Sequence, residues 1–394
     1  MTDTNKYKEE IYNKLKEKNI LNTFWKNTLV IGDVHFGIKS NSIPWLESQL
    51  KFFREQIFPI IENSELYNIS DVVFLGDLFD IRYSTNNYIS IEVKKLFREM
   101  IALIHNNIVS IVCLAGNHDY YSPLEELKEY NVYDSVFGHE FIDAYGSRFN
   151  YVTNKCISVF KYDDNNICKG NVTLLPWYET ENKENFIKHI KDIIFFNKTH
   201  KENPVRAIYC HTDLEPEFSD EPEIASALKE LDIPIYSGHI HYMYTNKEKK
   251  FYNLGACCSF TFNDANQSRY VYIINEKENK CVRIENVTTP KFIILRDEEI
   301  FDENPKYYNN NYVEFIISEC NKNQLRYKEQ ISKLKLQYPS SNIKVKIVTD
   351  STLFCTNNGI NINTNIEQYI ENNIPDNLKD NLNIIKEELS QNNK

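Results

Sequence analysis

The sequence predicts an α/β fold, and two observations carry that prediction. Short apolar runs alternate with longer stretches of helical spacing, in the order strand, helix, strand, helix, strand, between residues 28 and 114. The first three apolar runs end in polar motifs: Gly32-Asp33-Val34-His35, Gly76-Asp77 and Gly116-Asn117-His118-Asp119. In open α/β sheets ligands gather outside the carboxyl ends of the strands, so these motifs stand where chemistry is expected.

Taken in order, residues 4–20 place Tyr7, Ile11 and Leu15 at helical spacing on a highly charged background and read as a short surface helix. Thr28–Ile31 is a buried strand. A helix is expected over 45–63, with Leu46, Leu50, Phe53 and Ile57 on one face. "DVVFLGDLFD" is a second apolar strand ending in acids, and an amphipathic helix over 88–106 leads to the strand Ile108–Leu114. Further strands are expected at Val172–Leu175, Val205–Cys210 and Ile233–Ser237. "KFYNLGACCSFTF" and "RYVYIIN" alternate as half-buried strands would. The composition shifts near Thr288–Asp302. Tyr312–Ile317, Lys322–Leu336 and Ile343–Val348 then make a β-α-β unit. Residues 350–363 read as a loop, and the tail around "IEQYIENNIPD" reads as two amphipathic helices interrupted at Pro375.

Composition narrows the class. A chain of 394 residues suggests two or three domains, and 42% hydrophobic with 26% charged residues is ordinary for a globular protein. The first twenty residues lack the apolar core of a secretory signal, and no apolar run approaches the ~18 residues of a membrane span. Nine cysteines without a C-x-x-C pair exclude a disulfide framework and a zinc ribbon, and imply reduced, mostly buried thiols in a cytosolic compartment. The formal net charge of -11 argues against a stand-alone DNA binder. Handling nucleic acid would then require a local basic patch, metal ions or a partner.

Two more motifs follow the first three: His211 in "YCHTD" and Gly238-His239-Ile240-His241. Singly, each motif has a plain structural reading. Gly-Asn is a turn signal, and two histidines in a loop can be satisfied polar side chains. Together they supply Asp, Asn and His oxygen and nitrogen atoms of the kind that bind borderline divalent cations, with no cysteine among them. Asp33 with His35, and His239 with His241, point the same way if the chain is extended. Two metals ~3.5–4 Å apart need a shared carboxylate, and Asp77 in the middle motif suits that role.

These blocks resemble the calcineurin-like metallophosphoesterase superfamily, whose pattern is D-x-H, G-D-x-x-D, G-N-H-[DE], a lone H and G-H-x-H, all present in order. The resemblance implies a two-layer β-sandwich flanked by helices, with manganese as the usual metal and magnesium, iron or zinc as alternatives. It implies one metal on Asp33, His35, Asp77 and His241, and another on Asp77, Asn117, His211 and His239. His118 would be the catalytic histidine, oriented by Asp119, and a metal-bound hydroxide would attack phosphorus in line.

"GDLFDIR", "LLPW" and "FYNLGACCSFTFNDANQSRYVYI" resemble more narrowly the SbcD-type nuclease family of double-strand-break repair, on the branch of T-even bacteriophage recombination nuclease subunits. That resemblance implies an α/β nuclease domain over 27–290, preceded by a charged extension over 1–26. A β-α-β capping domain over 291–350 follows, and then a linker and helical tail over 351–394 that dock on an SMC-like ABC ATPase with a coiled coil. DNA is the implied substrate, a homodimer of the nuclease subunit the implied assembly, and the cytoplasm (the host's, for a phage protein) the implied location. Arg82 and Tyr120 follow metal motifs on loops and are candidate substrate contacts. Trp177 reads as packing beneath the site in preference to a base-stacking platform. Two departures stand out: the first 26 residues are additional to the family pattern, and "ACC" at 256–258 replaces an expected small-residue turn. The other readings are a general metallophosphoesterase, acting as protein phosphatase or nucleotide phosphodiesterase, and a catalytically silent DNA-end-binding scaffold. Asp80-Ile81-Arg82 and Asp119 depart from the protein-phosphatase blocks G-D-x-x-D-R-G and G-N-H-E.

Overall fold

Strands apolar on both faces need cover on both faces, and this chain supplies it with two sheets and an outer coat of helices. The computed structural model describes residues 2–80, 86–104, 110–120, 131–146, 148–153, 155–162, 168–177, 183–215, 222–319 and 321–348. The chain divides into two compact units, Met1–Phe292 and Ile293–Lys394.

The first unit contains β1 (Asn27–Ile31), β2 (Ile69–Phe74), β3 (Ser110–Leu114), β4 (Phe149–Val152), β5 (Ile157–Tyr162) and β6 (Cys168–Leu175). It continues with β7 (Val205–Cys210), β8 (Ile235–Ser237), β9 (Tyr244–Asn246), β10 (Phe251–Asn253), β11 (Tyr270–Asn275) and β12 (Lys280–Glu285). One sheet has the order β12-β11-β1-β2-β3-β4 and the other β5-β6-β7-β8-β10-β9. Strands β1 to β4 run parallel, and so do β6, β7, β8 and β10; antiparallel strands flank each set. Between the sheets, Val30, Val73, Leu75, Val112 and Leu114 meet Val172, Leu174, Ala207 and Tyr209 in one apolar core. The sandwich is the two-layer fold that the resemblance implies.

The alternate residues of the same strands face helices. Phe74 on β2 stacks on Phe53 at 6.1 Å and meets Phe97 of the Asn87–Ala102 helix at 5.4 Å. Ile208 and Ile235 pack with Phe186 and Ile190 of the Lys183–Thr199 helix and Leu228 of the Pro222–Lys229 helix. The helix expected over 45–63 is helical throughout but changes pitch, with a π turn at Phe53–Ile57 between Ile43–Phe52 and Phe58–Glu62. Pro59 has no N–H to donate, and the wider turn just before it accommodates that loss. The N-terminal helix, Thr2–Glu17, is more than a surface helix: Ile11 and Leu15 are buried, and the Tyr7 hydroxyl donates to the Gln56 carbonyl.

One expectation fails. In "KFYNLGACCSFTF" only Phe251–Asn253 is strand. Gly255 then adopts φ 74, a left-handed conformation that breaks the strand. The following turn is tied to the site loops, with Ala256 N–H donating to the His241 carbonyl and Cys257 N–H to the Asp33 carbonyl. A buried turn shows the same alternation of apolar residues as a strand, so the pattern misled.

An ion pair also spans the layers. Lys161 on β5 is buried and donates to the Asp71 carboxylate and to Ser70 Oγ, 3.0 Å away, on β2. Burial disfavours both charges, but their mutual attraction prevails, holding Asp71 below and Lys161 above its ordinary value. Because Asp71 is depressed in the folded state, its contribution is present above the unfolded carboxylate value and is lost as pH falls through the folded one. Lys161 contributes below its unfolded value and loses that contribution as pH rises through the folded one. Lys161→Met strands a buried carboxylate and is expected to cost about 3–5 kcal/mol in urea unfolding. Pairing it with Asp71→Asn is expected to restore most of that loss.

The second unit holds β13 (Phe292–Arg296), β14 (Tyr312–Ser318) and β15 (Asn342–Val348) in the order β13-β14-β15. Strands β14 and β15 are parallel, with Phe315 opposite Val345, and the Leu325–Gln337 helix lies between them in sequence. Tyr308, Val313, Phe315, Tyr327 and Leu334 form its core. The β-α-β unit is present, and β13 adds a strand the sequence did not suggest. The expected loop and tail helices over 351–394 lie outside the described residues. Among the described residues no helix is long and apolar enough to cross a membrane, and the seven described cysteines are free thiols.

Candidate metal centre

The five motifs follow the carboxyl ends of β1, β2 and β3 in one sheet and of β7 and β8 in the other, so both layers deliver side chains to one edge. Local conformation does the aiming. His35, Asp77 and His239 have φ of 53°, 48° and 79°, left-handed values uncommon for residues with a side chain and frequent at functional sites. Asp33 with His35, and His239 with His241, are therefore not aligned by extended alternation as the sequence suggested; a left-handed residue in each pair turns the side chain inward. At Gly116 a Cβ would collide with the Asp77 carboxylate, and at Gly76, φ 107°, it would lie 2.8 Å from the His211 ring carbon. Glycine is needed at both positions for the strands to come this close.

Two groups result. Ligand atoms of Asp33, His35 and His241 lie within 4.8 Å of one another, as do those of Asp77, His211 and His239. His35 Nε2 and His241 Nε2 are 3.0 Å apart, and His241 Nε2 is 3.9 Å from Asp33 Oδ2. Asn117 Oδ1 lies 3.1 Å from both His211 Nε2 and His239 Nδ1. Asp77 offers one oxygen to each group: Oδ2 is 3.6 Å from His35 Nε2 and Oδ1 is 3.4 Å from His211 Nε2. The structure thus brings together all seven residues expected as ligands.

The donor set fits divalent cations. His211 Nδ1 is 2.8 Å from the Leu75 carbonyl, so it carries the proton and leaves the Nε2 lone pair facing Asp77 and Asn117. Converging lone pairs of imidazole nitrogens and carboxylate oxygens repel unless a cation sits among them. Burial disfavours the Asp77 carboxylate, but His211, His35 and His118 outweigh it and hold its carboxyl well below the usual range. Burial opposes charge on His211 too, yet Asp77 and Asp33 raise it to about 9, so Nε2 takes up a proton in the place a cation would otherwise fill. Burial and the neighbouring His211 push His239 down to about 3, and burial also lowers His241.

His118 stands at the rim. Its backbone N–H donates to Asp77 Oδ1 at 2.8 Å, and its Nδ1 is 2.7 Å from the Asp80 carbonyl. With Nδ1–H held there, Nε2 is the nitrogen left to work. Asp119 does not orient it. Fully buried, the Asp119 carboxylate turns the other way and accepts from Gly116 N–H, Phe79 N–H and the Tyr133 hydroxyl, clamping two motif loops together. Burial and the nearby Asp77 push it up to about 7.

Tyr120 is also corrected. It is 8% exposed, and its hydroxyl donates to the Trp177 and Thr153 carbonyls, so it ties loops and does not face a substrate. Arg82 lies outside the described residues. Two residues were missed. Asp80 Oδ1 is 3.3 Å from His35 Nδ1, and Asp213 Oδ1 is 3.5 Å from His239 Nε2, each a carboxylate behind an imidazole. The signal was visible, since Asp80 closes the G-D-x-x-D block and Asp213 ends "YCHTD". Trp177, read as packing beneath the site, is half-buried with its ring 4.8 Å from that of His239, at the edge of the centre.

The family model for the calcineurin-like phosphoesterase matches residues 26–243, which include all five motifs. No curated protein matches the chain. One crystal structure is similar over 66% of this chain and 99% of its own, at 12% identity and a TM-score of 0.35.

Proposed function

The chain belongs to the calcineurin-like phosphoesterase family, and from that premise we propose that it is a DNA nuclease of the SbcD type. In this reading one divalent ion is held by Asp33, His35, Asp77 and His241 and a second by Asp77, Asn117, His211 and His239, with manganese the activating metal. Such ions supply Lewis-acid activation of water and of the phosphoryl oxygens. The chain's own contribution is to place them and to present His118 Nε2, backed by the Asp80 carbonyl, to the leaving oxygen. A phosphoester substrate follows from the family; the observation that carries DNA is Trp177. Its half-buried ring against His239 offers a nucleobase a stacking surface at the reacting edge. The SbcD-like segments "GDLFDIR" and "LLPW", the latter ending in that tryptophan, support the same reading.

Purified protein with linear duplex DNA and manganese is expected to release nucleotides or nicks, and EDTA to stop the release. The net charge of -11 favours instead a general phosphoesterase for small esters. Hydrolysis of p-nitrophenyl phosphate or phosphopeptides without any DNA cleavage would establish that reading. Binding of DNA with no hydrolysis under any metal would leave the scaffold.

An SMC-like ABC ATPase with a coiled coil is the proposed partner, with residues 351–394 as its docking tail and a dimer of this chain as the nuclease. Removing 351–394 is expected to leave metal binding intact and abolish co-purification with the ATPase; retained association would overturn that assignment.

A further inference from the structure

Away from the metal centre, the sandwich is open along one side, and the residues facing inward there are wrong for a closed core. In β12, Arg283 lies opposite Tyr272 and Cys281 opposite Ile274. Residues directly opposite share a face, and Tyr272 and Ile274 belong to the inter-sheet core, so Arg283 and Cys281 face inward too. On the other edge Thr245 of β9 lies opposite Tyr252 of β10, which packs against the same core. In the middle of the sandwich the inward positions are mostly valine, leucine and tyrosine. Here an arginine, a threonine and a thiol line the mouth of a cavity of about 520 Å³, within the roughly 300–1,000 Å³ of small-molecule sites.

The cavity has a flat aromatic wall and a cationic rim. Tyr209, Tyr236 and Tyr252 form a stacked column at 5.4 and 5.1 Å, both pairs inclined by 25°, and its outer member Tyr252 is half-buried in the wall. Tyr236 also lines the cavity, is 2% exposed, and its hydroxyl has no hydrogen-bond partner among the described residues. The end of the N-terminal helix brings Lys14 and Glu17 to the rim, with Lys18 just after it, and Lys247 comes from the turn after β9 and Arg283 from β12. Lys14 is paired with Glu10 at 2.7 Å, but Lys18, Lys247 and Arg283 have no ion-pair partner among the described residues, so three unpaired cations share the rim with Glu17. An aromatic face stacks a planar ring, and clustered cations hold phosphate oxygens.

We propose that this cavity binds a free nucleoside phosphate, with the base on the Tyr252 face and the phosphates on Lys18, Lys247 and Arg283. The test is calorimetric titration of the full-length protein with ADP in EDTA, which keeps the metal centre from taking the phosphates and makes the result independent of any nuclease activity. One saturable site is expected. Arg283→Glu and Lys247→Glu, at exposed positions and checked for an unchanged melting temperature, are each expected to weaken it at least tenfold. Tyr252→Ala is expected to weaken ADP while leaving pyrophosphate binding as it was. Four results would each overturn the proposal: no saturable ADP binding, equal affinity in the charge variants, pyrophosphate binding as tightly as ADP, or binding of a single-stranded oligonucleotide but not of ADP.

Discussion

Asp77→Asn is expected to leave the protein folded and remove its phosphoesterase turnover by on the order of 10³-fold or more. Metal content measured by mass spectrometry is expected to fall from two ions per chain toward none. The size follows from geometry: Asp77 is the side chain that offers one oxygen to each ligand group. Losing its charge weakens both positions at once, and metal stabilisation of a phosphoryl transition state is worth several kcal/mol, each ~1.4 of which is tenfold in rate. Asparagine is the right replacement, because it tolerates the left-handed backbone at 77 and can still accept from the His118 N–H. Retention of both ions with full turnover would refute the bridging role.

His118→Ala separates the two functions of the site. Turnover is expected to drop by about 10²–10⁴, the usual contribution of a positioned general acid. Metal content is expected to stay unchanged, since the His118 ring bonds the Asp80 carbonyl and joins only the set with His35 and Asp80, outside the two groups that Asp77 serves. Loss of metal in this variant would make His118 a ligand and overturn its assignment as the acid.

Residue types and their order made the site legible before any coordinates. Asp33, Asp77, Asn117, His211 and His241 offer ligand oxygens or nitrogens in their side chains, and each follows an apolar strand. What the sequence hid was conformation. Asp-x-His reads as an extended pair, yet His35 is left-handed, and nothing in its neighbours except Gly37 two residues later hints at that. The job of Asp119 was equally hidden. Which way a buried carboxylate turns depends on donors at Phe79 and Tyr133, distant in sequence, and an adjacent histidine is a poor guide to them. The layers themselves were legible as apolar runs. The strand extent after Asn253 was not, because burial and not pairing sets the alternation there.

The two ligand groups share a property that their chemistry does not require. His35 and Asp33 come from the first sheet and His241 from the second, while Asp77 comes from the first and His211 and His239 from the second. Each ion would therefore be a rivet driven through both layers at the edge farthest along the parallel strands. Opening the sandwich and losing the metals would then be the same event, and the mechanical integrity of that edge would follow the free metal concentration around it.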